Sequence, residues 1–391
     1  MKRFFLLKLI VCGSVIISLF AFLYITTPTI FFTSYIAGSL NSLPRIEKEE
    51  EKEKEFVATH IVTPEEVKGL YMTACVAATP SFRNNLVLLA EETEINSMVI
   101  DIKDYSGSIS FGSNDLRFSD AEQKGCFVSD MREFIELLHQ KGIYVIGRIT
   151  VFQDPIMAVK NPDLAVQKKS TGEVWKDYKG LSFIDVGARE YWDYIIALTR
   201  ASYKAGFDEI NFDYIRFPSD GNMQDIYFPW SEDRIVADPD LGKAEILEEF
   251  FMYLASELRQ DGIVSSADLF GMTTTNTDDL NIGQILEYAL PYFDYIAPMV
   301  YPSHYPKNFI GLSNPAANPY TVVKYSLDEA FKRASSTPQK IRPWLQDFDL
   351  GAVYTSEMVR AQIQATYDAG FTSWMLWDAA NTYTRNALLP E

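Results

Sequence analysis

Eight short apolar segments recur along this 391-residue chain, with helical patterns between them. Each segment is apolar on both faces, which is typical of a strand in a buried parallel sheet. Because the strand and helix patterns alternate, the sequence predicts a parallel sheet covered by helices. The predicted strands are residues 69–75, 97–103, 143–150, 208–214, 262–270, 293–301, 340–348 and 371–379.

Such a sheet either stays open or closes on itself. An open, doubly wound sheet usually binds its ligand through a glycine-rich first turn, but YMTACVAATPSF, at the first predicted strand, contains no glycine. We therefore predict a TIM-type (β/α)8 barrel with long βα loops for residues 57–391. The longest predicted connections are residues 151–188, 218–243 and 302–319, which follow strand ends on the face where such barrels bind ligands.

The N-terminal part has a different character. Basic residues precede an apolar run from Leu9 to about Ile25, a length that spans a bilayer. We predict that residues 1–44 are a cytoplasmic stub and an uncleaved transmembrane helix, with a cleaved signal peptide as the alternative. Residues 45–56, RIEKEEEKEKEF, predict a charged spacer. The barrel is thus expected outside the cytoplasm, tethered to the cell membrane by a single span.

The composition disfavours several classes of partner. The chain has 53 acidic and 35 basic residues, a formal net charge of -18, whereas nucleic acid requires basic patches. Three cysteines cannot form a four-cysteine zinc site, and the three histidines show no metal-ligand spacing. We expect no metal, no cofactor and no nucleic acid. Whether Cys75 and Cys126 form a disulfide stays open, because the sequence does not fix the distance between them.

Polar and aromatic side chains follow the predicted strands at their C-terminal ends. These ends meet at one face of a barrel, so we expect the side chains to surround one cleft. Carboxylates beside aromatic rings suit carbohydrate, whose apolar C–H faces pack on rings, so an oligosaccharide or polysaccharide is the expected partner. The candidates are Tyr71, Asp101, Lys103, Arg148, Asp213, Tyr214, Arg216, Asp268, Tyr301, His304, Trp344, Gln346, Asp347, Trp377 and Asp378.

Structural roles are the alternative for several of these residues. An acid that follows a strand is often the cap of the next helix or turn, which applies to Asp104, Asp154 and Asp378. Asp101 and Lys103 lie two apart on one predicted strand and could form a structural ion pair.

Asp213 is the strongest candidate for a functional role. It lies in GFDEINFDYIRFPSDG, residues 206–221, between two aromatic residues at the end of the fourth predicted strand. The RFP segment that follows, Arg216 to Pro218, turns the chain away from the strand.

Four segments resemble a known family. GFDEINFDYIRFPSDG, DYIAPMVYPSHYP, IRPWLQDF and GFTSWMLWDAANTY occur in the order found in a glycosyl hydrolase domain family of bacterial envelope proteins, catalogued as a domain of unknown function. The resemblance extends from about Lys68 to Tyr383. It implies a TIM barrel distantly related to the α-amylase-like glycoside hydrolases.

The resemblance also implies catalytic roles for three acids. Asp213 stands where the nucleophile of those enzymes stands, Asp268 where their proton donor stands, and Asp347 resembles their third, supporting acid. Two positions depart from the amylase pattern, in which an arginine lies two residues before the nucleophile and the donor is glutamate. This chain has Asn211 and Asp268 at these positions.

The predicted function is hydrolysis of a glycosidic bond in an envelope or extracellular polysaccharide, with one ionised and one protonated carboxyl group. The alternative is an inactive barrel that binds polysaccharide at the cell surface without cleaving it. A barrel enzyme for phosphorylated metabolites is disfavoured, because no glycine-rich loop near the seventh and eighth predicted strands could hold a phosphate.

Overall fold

The computed structural model describes residues 56–122, 124–334 and 336–390. The predicted transmembrane segment and all but the last residue of the predicted spacer lie outside these ranges, so both stay predictions. Within the described residues, no helix has the length and apolar character needed to cross a membrane.

Eight parallel strands close into a barrel, which confirms the predicted fold class. Each strand pairs with the next in chain order, and the last pairs with the first, with Trp374 opposite Lys68. Every strand overlaps one of the eight predicted segments. Strands β1 to β8 are Lys68–Met72, Ser97–Lys103, Tyr144–Thr150, Glu209–Asp213, Val264–Phe270, Tyr295–Met299, Trp344–Gln346 and Trp374–Trp377.

Helices follow the strands and pack their apolar faces on the barrel. The helices Arg189–Ala205 and Gly242–Asp261 end at Gly206 and Gly262, whose φ angles of 118° and 68° give the left-handed turn that commonly ends a helix. Helices α1 to α7 are Pro80–Glu91, Met131–Gln140, Arg189–Ala205, Gly242–Asp261, Leu286–Ala289, Pro319–Arg333 and Ser356–Asp368. Three further short helices, Ala74–Ala77, Pro155–Lys160 and Glu232–Ala237, lie in the loops.

Polar side chains occupy both ends of strand β4. Glu209, its first residue, pairs with buried Arg342 at 3.0 Å. The Arg342 guanidinium lies 3.7 Å from the centroid of the Tyr295 ring. Asp213, the last residue of β4, lies four residues away at the C-terminal end of the barrel, where the long loops emerge.

Two links join the loops at that end. A disulfide connects Cys75, after β1, with Cys126, in the loop after β2, and so answers the question that the sequence left open. In addition, Gln167–Lys168 pairs antiparallel with Ile226–Tyr227, which joins the loops after β3 and β4.

Loss of the disulfide should destabilise the barrel. Replacing Cys75 and Cys126 with serine should lower the free energy of unfolding by about 2–4 kcal/mol, because the unfolded chain loses a cross-link. The bond spans 51 residues. Urea unfolding with and without dithiothreitol measures the effect, and the double serine variant is the control because it should not respond to the reductant. A wild-type protein with equal stability in both conditions would contradict the prediction.

Candidate active site

Carboxyl groups from three neighbouring strands converge on Arg148 of β3. Its Nη1 donates a hydrogen bond to Asp101 Oδ1 of β2 at 2.7 Å. Its Nη2 and Nε donate to Asp213 Oδ2 of β4 at 2.5 and 3.1 Å. Asp268 Oδ2 of β5 lies 3.9 Å from the same Nε. All four side chains are buried, so the structure brings these four predicted site residues into one cluster.

Asp213 is held from two sides. Arg148 binds one of its carboxylate oxygens, and the other accepts a hydrogen bond from the backbone N–H of Tyr214 at 2.6 Å. Tyr214 has a φ of 51°, a left-handed conformation that is uncommon for a residue other than glycine. Such strain costs about 1–3 kcal/mol and is found mostly at functional sites. The turn at Tyr214 therefore fixes the carboxylate at the end of its strand.

Asp268 has a different environment. Its Oδ1 accepts hydrogen bonds from Asn211 Nδ2 at 2.9 Å and from Trp344 Nε1 at 2.7 Å. Its Oδ2 is buried and has no hydrogen-bond partner among the described residues. Burial and the adjacent charge of Asp213 raise the pKa of Asp268 well above its usual range, against the opposing effect of Arg148. Asp268 therefore keeps its proton to a higher pH than an ordinary carboxyl group does.

Aromatic rings fix the other side of the cluster. The Tyr71 hydroxyl donates to Asp101 Oδ2 at 2.6 Å, and its ring stacks on Trp377 with centroids 3.8 Å apart. The Arg148 guanidinium lies 5.1 Å from the Trp377 centroid and 5.6 Å from that of Tyr71. Burial raises the pKa of Asp101, although the Arg148 charge opposes the shift. The stacked rings thus restrict the guanidinium that holds Asp213.

A two-lobed cleft opens above the cluster. Its larger lobe has a volume of 550 Å³ and its smaller lobe 260 Å³. Arg148, Tyr214, Arg216 and Trp377 line both lobes and so mark their junction. The long loop after β3 forms part of the larger lobe, in line with the expectation that long loops shape the site. Asp213, Phe270, Met299, Tyr301 and His304 complete the smaller lobe.

The predicted residues fall into three groups. Asp101, Asp268 and Trp344 lie behind the cleft surface, where Asp101 binds the lining residues Arg148 and Tyr71 and Trp344 binds Asp268. Four others lie outside the cleft: Lys103, Gln346, Asp347 and Asp378. The predicted residues that line the cleft are Tyr71, Arg148, Asp213, Tyr214, Arg216, Tyr301, His304 and Trp377.

Lys103 lies outside the cleft. It is fully buried, its Nζ donates to the carbonyl oxygens of Thr150 and Val151, and it pairs with Asp154 Oδ2 at 3.0 Å. The pairing of β2 with β3 shifts register between Asp101 and Lys103. This irregularity separates two side chains that regular alternation would place on one face. The structure therefore does not form the alternative Asp101–Lys103 ion pair.

Asp347, Gln346 and Asp378 bind neighbouring backbone. Asp347 accepts hydrogen bonds from the backbone N–H and hydroxyl of Thr384 at 2.8 and 2.6 Å. Gln346 is fully buried and bonds the loops after β6 and β7. Asp378 caps the turn that follows it, as the structural alternative proposed. The structure does not bring Asp347 into the Arg148 cluster.

Asn211 is a site residue whose role the sequence analysis missed. It appeared only as a departure from the amylase pattern, yet its side chain holds Asp268. Its position two residues before Asp213 on one strand, and hence on the same face, was the signal that could have revealed it. Loop residues of the larger lobe, among them Tyr105, Gln153, Asp177, Lys179 and Asp220, follow no comparable pattern.

Solved glycoside hydrolase structures share this architecture. The glycoside hydrolase domain of PgaB (BpsB) from Bordetella bronchiseptica is 16% identical, with a TM-score of 0.60 over 83% of this chain and 99% of that chain. Alpha-L-fucosidase isoenzyme 2 from Paenibacillus thiaminolyticus is 13% identical, with a TM-score of 0.55 over 82% of this chain and 48% of that chain. At these identities the likeness shows the fold alone, a TIM barrel.

The sequence identifies the family. The family model described as "Putative glycosyl hydrolase domain" matches residues 69–383, and the chain belongs to this family, which confirms the predicted resemblance. A hypothetical protein from Ruminiclostridium thermocellum ATCC 27405 is 32% identical, over 51% of this chain and 96% of that chain, with a TM-score of 0.44. No curated protein matches this chain in sequence.

The substitution Asp347→Asn should reduce the pH dependence of stability. Burial raises the pKa of Asp347 to about 6, so between about pH 4 and 6 the folded protein binds a proton that the unfolded chain releases. The contribution of Asp347 to wild-type stability therefore falls as the pH rises through this window, whereas asparagine does not titrate. The free energy of unfolding of the variant, relative to wild type, should rise by up to about 3 kcal/mol from pH 4 to 7.

Urea unfolding of both proteins across this pH range measures the difference. Parallel stability curves would contradict the assigned environment of Asp347.

Proposed function

We propose that the protein hydrolyses a glycosidic bond in a polysaccharide of the cell envelope or its surroundings, with Asp213 and Asp268 as the two working carboxyl groups. The main support for the proposal is that the two carboxyl groups have different environments. Both lie beside Arg148, but Asp213 forms an ion pair on the cleft wall, whereas burial gives Asp268 a raised pKa. Glycoside hydrolysis requires this pairing of an ionised and a protonated carboxyl group.

In the proposed reaction, Asp268 donates its proton to the glycosidic oxygen as the bond from that oxygen to the anomeric carbon breaks. Asn211 and Trp344 occupy Oδ1, which leaves Oδ2 as the donor atom. The Asp213 carboxylate attacks the anomeric carbon or stabilises its positive charge. Water then adds its hydroxyl group to that carbon as any bond to Asp213 breaks, and the remaining proton of the water passes to Asp268, which restores both carboxyl groups.

Aromatic side chains support a carbohydrate as the substrate. Tyr71, Tyr214, Tyr301 and Trp377 all line the cleft. Rings of this kind can pack against the C–H faces of sugars while the neighbouring charged groups bind hydroxyl groups.

The proposed location is outside the cytoplasm, at the membrane. A disulfide between Cys75 and Cys126 supports it, because such bonds persist in oxidising compartments. The predicted membrane span within residues 1–44 would hold the barrel close to envelope polysaccharide.

Amide substitution of either acid should abolish most of the activity. We expect Asp213→Asn and Asp268→Asn each to lower kcat by about 10²–10⁴-fold, because each removes a group that carries charge or a proton in the transition state. The assay is the release of reducing ends from a panel of envelope polysaccharides by the full-length protein.

Asp208→Asn is the matched control. Asp208 is a buried acid just before β4, at the opposite end of that strand from Asp213, where it binds His139 and the Val145 backbone. This variant should lose stability but retain kcat. Wild-type turnover by folded Asp213→Asn would refute the proposed mechanism.

One observation favours the alternative of a binding barrel. Asp268 is only 1% exposed, so a substrate reaches its Oδ2 only if the cleft wall opens slightly. A wild-type protein that binds envelope glycans but releases no reducing ends from any of them would support this alternative.

The pH profile should respond to Trp344. Its indole N–H favours the charged form of Asp268 and so lowers the pKa of that carboxyl group. In Trp344→Phe the pKa of Asp268 should rise, and the proton donor should stay protonated to a higher pH. The alkaline limb of kcat/KM, which reports the essential acid of the free enzyme, should therefore move to higher pH.

Trp374→Phe is the control for this measurement. Trp374 is also fully buried, but its Nε1 donates to the Tyr367 hydroxyl at 3.0 Å, away from the carboxyl cluster. This variant should keep the wild-type alkaline limb. An unchanged limb in Trp344→Phe would remove Asp268 from the role of proton donor.

A further inference from the structure

We propose that the cleft selects acidic glycans, and that Arg216 binds a sugar carboxylate next to the bond that is cleaved. The inference rests on the proposed function, because it takes the cleft as the glycan site. It adds the chemical class of the substrate, which neither the family nor the carboxyl cluster defines.

The position of Arg216 is the first support. It lies three residues after Asp213 and lines both lobes of the cleft. The strained turn at Tyr214 separates the two residues and directs both toward the smaller lobe. A group bound by Arg216 therefore lies beside the carboxylate proposed to act on the anomeric carbon.

The Arg216 side chain is oriented before any ligand binds. Its Nη1 donates to the carbonyl oxygen of Phe217 and to Ser219 Oγ, both at 3.2 Å. Its guanidinium lies 4.9 Å from the centroid of the Tyr214 ring. These contacts use one of its three nitrogens, and a guanidinium offers five donors in a planar fork that matches a carboxylate.

Arg216 also lacks an internal counter-ion. No carboxylate in the described part of the chain forms an ion pair with it, although the full chain has 53 acidic and 35 basic residues. Arg148, deeper in the same cleft, pairs with both Asp101 and Asp213. The two cleft arginines thus differ: the charge of Arg148 is compensated within the protein, and that of Arg216 is available to a ligand.

The remaining charges of the larger lobe are mixed. Lys179, from the loop after β3, adds a cation with no ion-pair partner among the described residues. Asp177 binds the backbone N–H groups of Lys179 and Leu181, and Asp220 is exposed. Since the lobe is not uniformly basic, the selectivity should depend on Arg216 itself. A bidentate, charge-assisted contact supplies that kind of local selectivity.

Paired glycans that differ only in charge test the inference. The probes are oligosaccharides of galacturonate, of mannuronate and of hyaluronan, each with its carboxyl-reduced, neutral counterpart. Isothermal titration calorimetry on the full-length protein gives their affinities. At least one charged probe should bind tenfold or more tightly than its reduced form.

Variants at Arg216 and Asp220 test whether Arg216 causes the preference for charged glycans. Arg216→Gln should abolish the preference for the charged probe, and Arg216→Lys should retain part of it, because lysine keeps the charge but not the planar fork. Asp220→Asn is the matched control. It changes the charge of the same lobe by one unit in the opposite direction, so it should keep or increase the preference.

Three results would overturn the inference: equal wild-type affinities within every pair, no binding of any charged probe, or a preference that survives in folded Arg216→Gln. Affinity and cleavage are separate measurements, so the two proposals fail separately. A charge preference in a protein that cleaves no glycan would support Arg216 as the selector and refute the hydrolase. Asp213-dependent cleavage of neutral glycans with no charge preference would refute only the selection of acidic sugars.

Discussion

The candidate site depends on one buried guanidinium. Arg148 binds Asp101 and Asp213 directly and lies 3.9 Å from Asp268, so three acids share one base inside the barrel. If all four groups were charged, the cluster would carry two uncompensated negative charges, which is costly in a buried site. A proton on one acid reduces that cost. Asp268 has the longest contact with the base, and its pKa is raised well above the usual range. The raised pKa thus follows from the composition of the cluster.

Strand register explains how the cluster is supported. Asp101, Arg148, Asn211 and Ser266 lie opposite one another on β2 to β5 and form one level of the barrel. Asp213 and Asp268 lie two residues further along β4 and β5, so their side chains leave the same face one level nearer the loops. Each of these two acids accepts a hydrogen bond from a side chain of the preceding strand: Arg148 binds Asp213, and Asn211 binds Asp268.

The sequence predicts the features of the fold and site that depend on the regular alternation of strands and helices. The eight strands, their closure and the grouping of Asp101, Arg148, Asp213 and Asp268 all follow from apolar segments and from residues that end them. It does not predict what depends on a local irregularity. A register shift turns Lys103 away from the cleft, although regular alternation places it beside Asp101.

The sequence also does not predict which side chains from distant parts of the chain form hydrogen bonds with each other. Trp344 was a predicted substrate-binding residue, and its indole N–H binds Asp268, which is 76 residues away in the sequence. Asp347 resembled a third catalytic acid, but Thr384 takes both of its oxygens. The hydrogen-bond partner of such a side chain depends on how the surrounding residues pack. Residue spacing in the sequence does not indicate it.

The departure from the amylase pattern has a structural explanation in the same register. That pattern places an arginine two residues before the nucleophile, where this chain has Asn211. Arg148 lies directly opposite Asn211 on the adjacent strand β3 and supplies the guanidinium that binds Asp213. An arginine at both positions would add a second buried cation, whereas asparagine donates to Asp268 without adding charge. This chain thus carries its guanidinium on β3 rather than β4 and has a hydrogen-bond donor beneath each acid.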